Sequence, residues 1–107
     1  MLDTSGKPFI KKVFTPWEQE RMESHPDRVA YAAMVFAAKE AVFKTFGISW
    51  SFGVQMNEIE VHDGQYGEPQ VILSGRFAEV AKERGVSKVH LSLSYDGDYA
   101  IAMAALA

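Results

Sequence analysis

The stretch Phe36-Ala37-Ala38-Lys39-Glu40-Ala41-Val42-Phe43-Lys44-Thr45-Phe46-Gly47 decides the fold. From Val29 to Ala38 the chain carries no charge; then Lys39, Glu40 and Lys44 arrive together among Ala, Val and Phe. A helix apolar nearly all round is usually a buried one, and charges on it are costly unless paired or put to use. Glu40 and Lys44 stand four residues apart and project from one face, as do Phe36 and Glu40. One carboxylate with two ammonium groups at the end of a buried helix suits an anionic ligand held through a divalent metal. The bland alternative is a helix-face salt bridge of small value between Glu40 and Lys44. Phe36, Phe43 and Phe46 are expected in the core, and Lys39 reads as the solvated edge of the helix.

Working outward, Gly47 stops this helix as a C′ residue, and Ser24-His25-Pro26-Asp27 opens it. Upstream, Thr15-Pro16-Trp17-Glu18 reads as a capping box with Pro at the first helical position, starting a short helix to about Glu23. Phe9 to Phe14 is expected as a short strand or entry segment, and residues 1–8 as a loose lead-in. Downstream, Glu58–Val61 alternates like a short strand, residues 62–69 are rich in turn formers, and Gln70–Leu73 is a second strand. Phe77, Val80 and Ala81 recur at helical spacing between Gly75 and Arg84, with Gly85 as the stop. In the last segment Val89, Leu91 and Leu93 point one way and His90, Ser92 and Ser94 the other. Asp96-Gly97 signals a hairpin turn before the apolar return strand Tyr99–Leu106. The expected fold class is α+β: one domain over residues 1–107, its antiparallel sheet packed around one long central helix.

The net charge of −3, with no basic tract, argues against nucleic acid as a partner. The absence of Cys removes disulfides, thiolate metal sites and Cys nucleophiles, which fits a reducing cytoplasm. No apolar signal region and no uncharged run of spanning length is visible, so a soluble cytoplasmic protein without a membrane role is expected. A hydrolase triad of His90, Ser92 and Asp96 is rejected: residues on one strand face project in parallel, and no G-x-S-x-G elbow exists. His25 and His62 are too isolated to form a metal site.

Three passages together resemble the holo-acyl-carrier-protein synthase family, the small 4′-phosphopantetheinyl transferases. Phe36-Ala37-Ala38-Lys39-Glu40-Ala41 with Lys44 and Gly47 is similar to that family's F-x-x-K-E-A-x-x-K-x-x-G helix. Glu58-Ile59-Glu60-Val61 leading to Gly67-Glu68-Pro69 resembles its strand and G-x-P loop. His90-Leu91-Ser92-Leu93-Ser94-Tyr95-Asp96 resembles its H-x-S-L-S-H-[DT] strand end. Order and spacing match over roughly residues 9–106.

The resemblance implies an Mg²⁺-dependent transferase that moves the phosphopantetheine arm of coenzyme A onto a serine of an acyl carrier protein, serving fatty-acid and polyketide biosynthesis. By position it implies Glu40 and Lys44 as catalytic residues, Glu40 as the metal ligand or aligner of the base, and Lys44 as a phosphate or transition-state cation. Lys39, Lys44, Gly67, Pro69, Ser92, Ser94, Tyr95 and Asp96 would contact the coenzyme. It also implies assembly as a homo-oligomer, a trimer with sites between neighbouring subunits. Three departures stand out. The family's opening G-x-G-x-D-[IL] strand, whose Asp is the other metal carboxylate, has no counterpart; Asp3 is the only acidic residue before Phe9. Tyr95 stands where a His is expected, and a phenol does not titrate near neutral pH as imidazole does. Val35 replaces an Arg that often precedes the motif Phe. They leave a second reading open: a catalytically degenerate binding or assembly module, or one part of a split transferase completed by another chain. On the transferase reading, an acidic carrier protein would be met by a local basic cluster such as Lys7, Lys11, Lys12 and Arg21.

Overall fold

A computed structural model describes residues 7–63, 68–96 and 99–107. The chain opens on α1 (Lys7–Val13), α2 (Pro16–Ser24) and the long α3 (Arg28–Phe46). Two 3₁₀ turns, Trp50–Phe52 and Met56–Glu58, lead into β1 (Ile59–Asp63) and β2 (Pro69–Leu73). Helix α4 (Gly75–Glu83) then precedes β3 (Val89–Asp96) and β4 (Tyr99–Leu106). The α+β class and the single long helix hold. Phe9–Phe14 does not form a strand: α1 runs through it, and Phe14 N–H still donates to Ile10 C=O at 2.8 Å.

Local chemistry accounts for the helix ends. The capping box at Thr15 and Glu18 is formed in both directions, Asp27 accepts from Ala30 N–H at 3.0 Å at the start of α3, and Gly47 ends α3 with φ 65°. Gly75 opens α4 with φ +56°, and a Cβ there would lie 2.2 Å from Glu58 Oε2. The close approach is used: the Glu58 carboxylate accepts from Arg76 N–H at 2.9 Å and Phe77 N–H at 3.3 Å. A carboxylate on free N-terminal amides completes that helix end.

The strands form two antiparallel hairpins, β1–β2 and β3–β4, with no ladder joining them among the described residues. In the second hairpin Leu91 pairs with Ala104 and Leu93 with Ala102, turned toward the core, while Ser92 pairs with Met103 and Ser94 with Ile101 on the outer face. The alternate alanines of β4 let the strand lie close against α3, where Thr45 Oγ1 donates to Ala104 C=O at 3.3 Å. Gly97 of the expected turn lies outside the described residues. Phe14, Val35, Val42, Phe46, Ile59 and Phe77 form the centre of the core, with Phe46 and Phe77 edge to face at 5.1 Å. Among the described residues no helix is long and apolar enough to cross a membrane.

Candidate functional site

Helix α3 presents two chemically distinct sides. On the open side Lys44 Nζ lies 3.8 Å from Glu40 Oε2, with 78% and 43% of the two side chains exposed. Both border a cleft of about 750 Å³ whose walls include Phe36, Phe43, Trp50 and Lys12. Phe43 stacks on Trp50 at 4.3 Å, and Phe36 meets Phe9 at 6.2 Å. Of the three phenylalanines expected in the core only Phe46 is fully buried; Phe36 and Phe43 are half-buried and shape this cleft. Among the described residues Glu40 is its only acidic wall residue, and Lys12 and Lys44 are its cations.

The other side of α3 is sealed, and here the expectation for Lys39 is corrected. Its side chain has no exposure, so it is not the solvated edge of the helix. Its ammonium lies 2.7 Å from Glu18 Oε1 and donates to Met56 C=O at 3.1 Å and Ile59 C=O at 2.5 Å. An ammonium has three protons. With all three engaged and no surface reaching it, Lys39 has nothing to offer a coenzyme. Burial lowers its pKa, against the opposing pull of Glu18. Glu18 is equally enclosed and also accepts from Thr15 N–H at 2.9 Å and Val61 N–H at 2.8 Å. The pair thus ties α2, α3 and the start of β1 to one point.

A second layer surrounds that point. Thr15 Oγ1 donates to Glu60 Oε1 at 2.6 Å, and Glu60 Oε2 lies 3.0 Å from His62 Nε2. His62 stacks on Trp17 at 3.6 Å, and Arg21 sits 4.9 Å over the Trp17 ring. Burial alone would raise the Glu60 carboxyl; the hydrogen bonds from Thr15 and His62, with the nearby positive charge, bring it below the usual carboxylate range. The capping box was legible in the sequence. That its Glu18 also neutralises Lys39 was not, because the partners are 21 positions apart on separate helices.

The remaining expected contacts lie elsewhere. Pro69 lines a different cleft of about 690 Å³ between the hairpins and α4, with Lys82, Lys88 and His90 on its walls. Ser92 and Ser94 face outward from β3 and line neither cleft. Gly67 and Asp3 lie outside the described residues, as do the side chains of Lys7, Tyr95 and Asp96. Lys11 and Lys12 are exposed on the last turn of α1, on a different helix from Arg21. Among the described residues no three His, Asp or Glu side chains converge as a metal cage. A hard oxygen donor beside an open cleft nonetheless fits Mg²⁺, which typically takes one or two carboxylates, waters and substrate phosphate oxygens. Glu40 meets that description only in company with a phosphate ligand.

A family model described as the 4′-phosphopantetheinyl transferase superfamily matches residues 1–104. A holo-[acyl-carrier-protein] synthase of Idiomarina loihiensis is 40% identical over 97 residues, covering 91% of this chain and 77% of that protein. The crystal structure of the Neisseria meningitidis holo-[acyl-carrier-protein] synthase superposes with a TM-score of 0.86 at 28% identity, covering 95% of this chain and 82% of that one. An ACPS–CoA complex from Chronobacterium ammoniagenes gives 0.75 at 31% identity, covering 91% and 79%.

Proposed function

The chain belongs to the 4′-phosphopantetheinyl transferase superfamily, and from that premise we propose that it moves the phosphopantetheine arm of coenzyme A onto a serine of an acyl carrier protein. The carrier's serine oxygen forms a bond to the phosphorus bearing the pantetheine arm. The P–O bond of the diphosphate breaks, adenosine 3′,5′-bisphosphate leaves, and the serine proton is released. Such a reaction asks the protein for position and for charge neutralisation more than for covalent chemistry. The observation that carries the reading is the Glu40–Lys44 pair, on the motif helix, at the border of an open cleft. Lys44 brings an ammonium to the diphosphate oxygens. Glu40 is the residue that would hold Mg²⁺, which when bound neutralises phosphate charge.

Within one chain Glu40 and Lys44, Pro69, and the two serines of β3 sit at separate places. The outer face of the β3–β4 hairpin exposes Ile101 (47%) and Met103 (71%). Both facts support assembly of several copies, the trimer that the family resemblance implies, in which neighbouring copies bring together what one copy keeps apart. Incubation with apo-carrier protein, coenzyme A and Mg²⁺ tests the activity: a mass increase on the carrier serine is expected. No increase beside an active control enzyme overturns it. Coenzyme A binding without transfer would favour the degenerate binding module instead.

A further inference from the structure

We propose that the buried Glu18–Lys39 pair is a positioning device for the open side of α3, setting the rotation of the helix about its axis so that Glu40 and Lys44 address the substrate. The inference rests on the reading just given. Its geometry is independent of it. Lys39 and Glu40 are consecutive, so their side chains leave the helix about 100° apart. Whatever fixes the direction of Lys39 fixes that of Glu40, and Lys44 one turn on. Lys39 is held by three acceptors from two other parts of the chain, the Glu18 carboxylate and the carbonyls of Met56 and Ile59. Glu18 is itself held by Thr15 N–H and Val61 N–H. Val35, Val42 and Phe46 already seat this face of α3 in the core, but hydrophobic burial is non-directional, and the Lys39 hydrogen bonds add a directed restraint on rotation. A cation with three directed hydrogen bonds in an enclosed site narrows the rotation further. Rolling α3 would break those bonds inside an enclosed site, where an unpartnered charge is costly.

Open-side geometry is what the proposed reaction needs. A displacement of about 1 Å in a reacting group can cost on the order of 10²-fold in rate. Glu40 and Lys44 are too exposed to hold their own direction; their mutual contact is 3.8 Å long and half in water. Their aim therefore comes from the helix, and the helix takes it from Lys39.

The test uses the double variant Glu18→Gln/Lys39→Met, which removes both charges and keeps both sizes. Glu18→Gln/Lys39→Gln, which also removes both charges but leaves side chains able to hydrogen-bond, serves as the second variant in case the first does not fold. Measurements are made well below the melting temperature of each variant. The expected result is a fall in kcat of about tenfold or more for Glu18→Gln/Lys39→Met, and a smaller fall for Glu18→Gln/Lys39→Gln. KM for coenzyme A should stay within about threefold, since loosely aimed charges still bind a diphosphate. Amide ¹H–¹⁵N shifts should move along Phe36–Lys44 in both variants and stay fixed in α4. Wild-type kcat in a folded variant, or amide shifts confined to the immediate neighbours of residues 18 and 39, would overturn the proposal. A wild-type chain that neither binds coenzyme A nor transfers would sink the transferase reading instead. The amide shifts would still decide whether the pair sets α3.

Discussion

Lys39 and Lys44 lie five residues apart on one helix and have opposite fates. The first has no exposed surface and ends in an enclosed ion pair; the second is 78% exposed and touches its partner only at 3.8 Å. Residue type and helix are shared, so the difference comes from what faces them. Opposite Lys39 stand the first turn of α2 and the approach to β1; opposite Lys44 is an open cleft. A sealed charge belongs to the architecture, because leaving its partner alone is costly. An exposed one contributes little to folding and remains free to meet an anion.

The largest effect expected from this contrast is on stability. Lys39→Met leaves the Glu18 carboxylate buried without its cation and should cost about 3–5 kcal/mol in urea unfolding. Lys44→Met should stay within about 0.5 kcal/mol. Equal losses would break the comparison. On the open side, Glu40→Gln should lower transfer by about 10²-fold, near 2.7 kcal/mol of transition-state stabilisation, with an unchanged melting curve. A coenzyme A affinity that responds equally to Mg²⁺ in wild type and Glu40→Gln would show that Glu40 holds no metal.

The sealed side should also respond to acid. Glu60 titrates below the ordinary carboxylate range when folded, so its stabilising effect is complete above the unfolded value. It is lost as pH falls from there through the folded one. Glu60→Gln should lack that component of the acid unfolding curve, a difference under about 2 kcal/mol, the scale of one hydrogen bond to a charged group. The smallest effect is the Glu40–Lys44 coupling itself. A double-mutant cycle should return about 0.3–0.5 kcal/mol and much less in 1 M salt.

Much of the architecture was legible because it rests on local rules. Thr15 with Glu18 three residues on, Gly47 and Gly85 past helix ends, and the strict alternation of residues 89–94 each found their structural counterpart. Phe9–Phe14 was missed because six residues of mixed character carry neither period strongly, and packing of Val13 and Phe14 into the core decides for helix. The motif helix is legible from its own pattern, but the side on which Lys39 lies is not. Its burial depends on Glu18 and on carbonyls 17 and 20 positions away, and no pattern within the helix reports them. Separation of Pro69 and the β3 serines from Glu40 is a fact of topology, equally invisible along the chain.

The same ion pair has a further consequence, for how this molecule avoids its own kind. Among the described residues strand β1 has β2 on one side only. On its other side Val61 N–H donates to Glu18, and Ile59 C=O accepts a hydrogen bond from Lys39. These are one donor and one acceptor, two residues apart, as an adjoining strand would have paired them. A carboxylate and an ammonium thus do the work of a missing neighbour with two side chains. An open strand edge is where chains add to one another and aggregate. Here two backbone groups of that edge are already engaged from within, by a carboxylate and an ammonium held in the core.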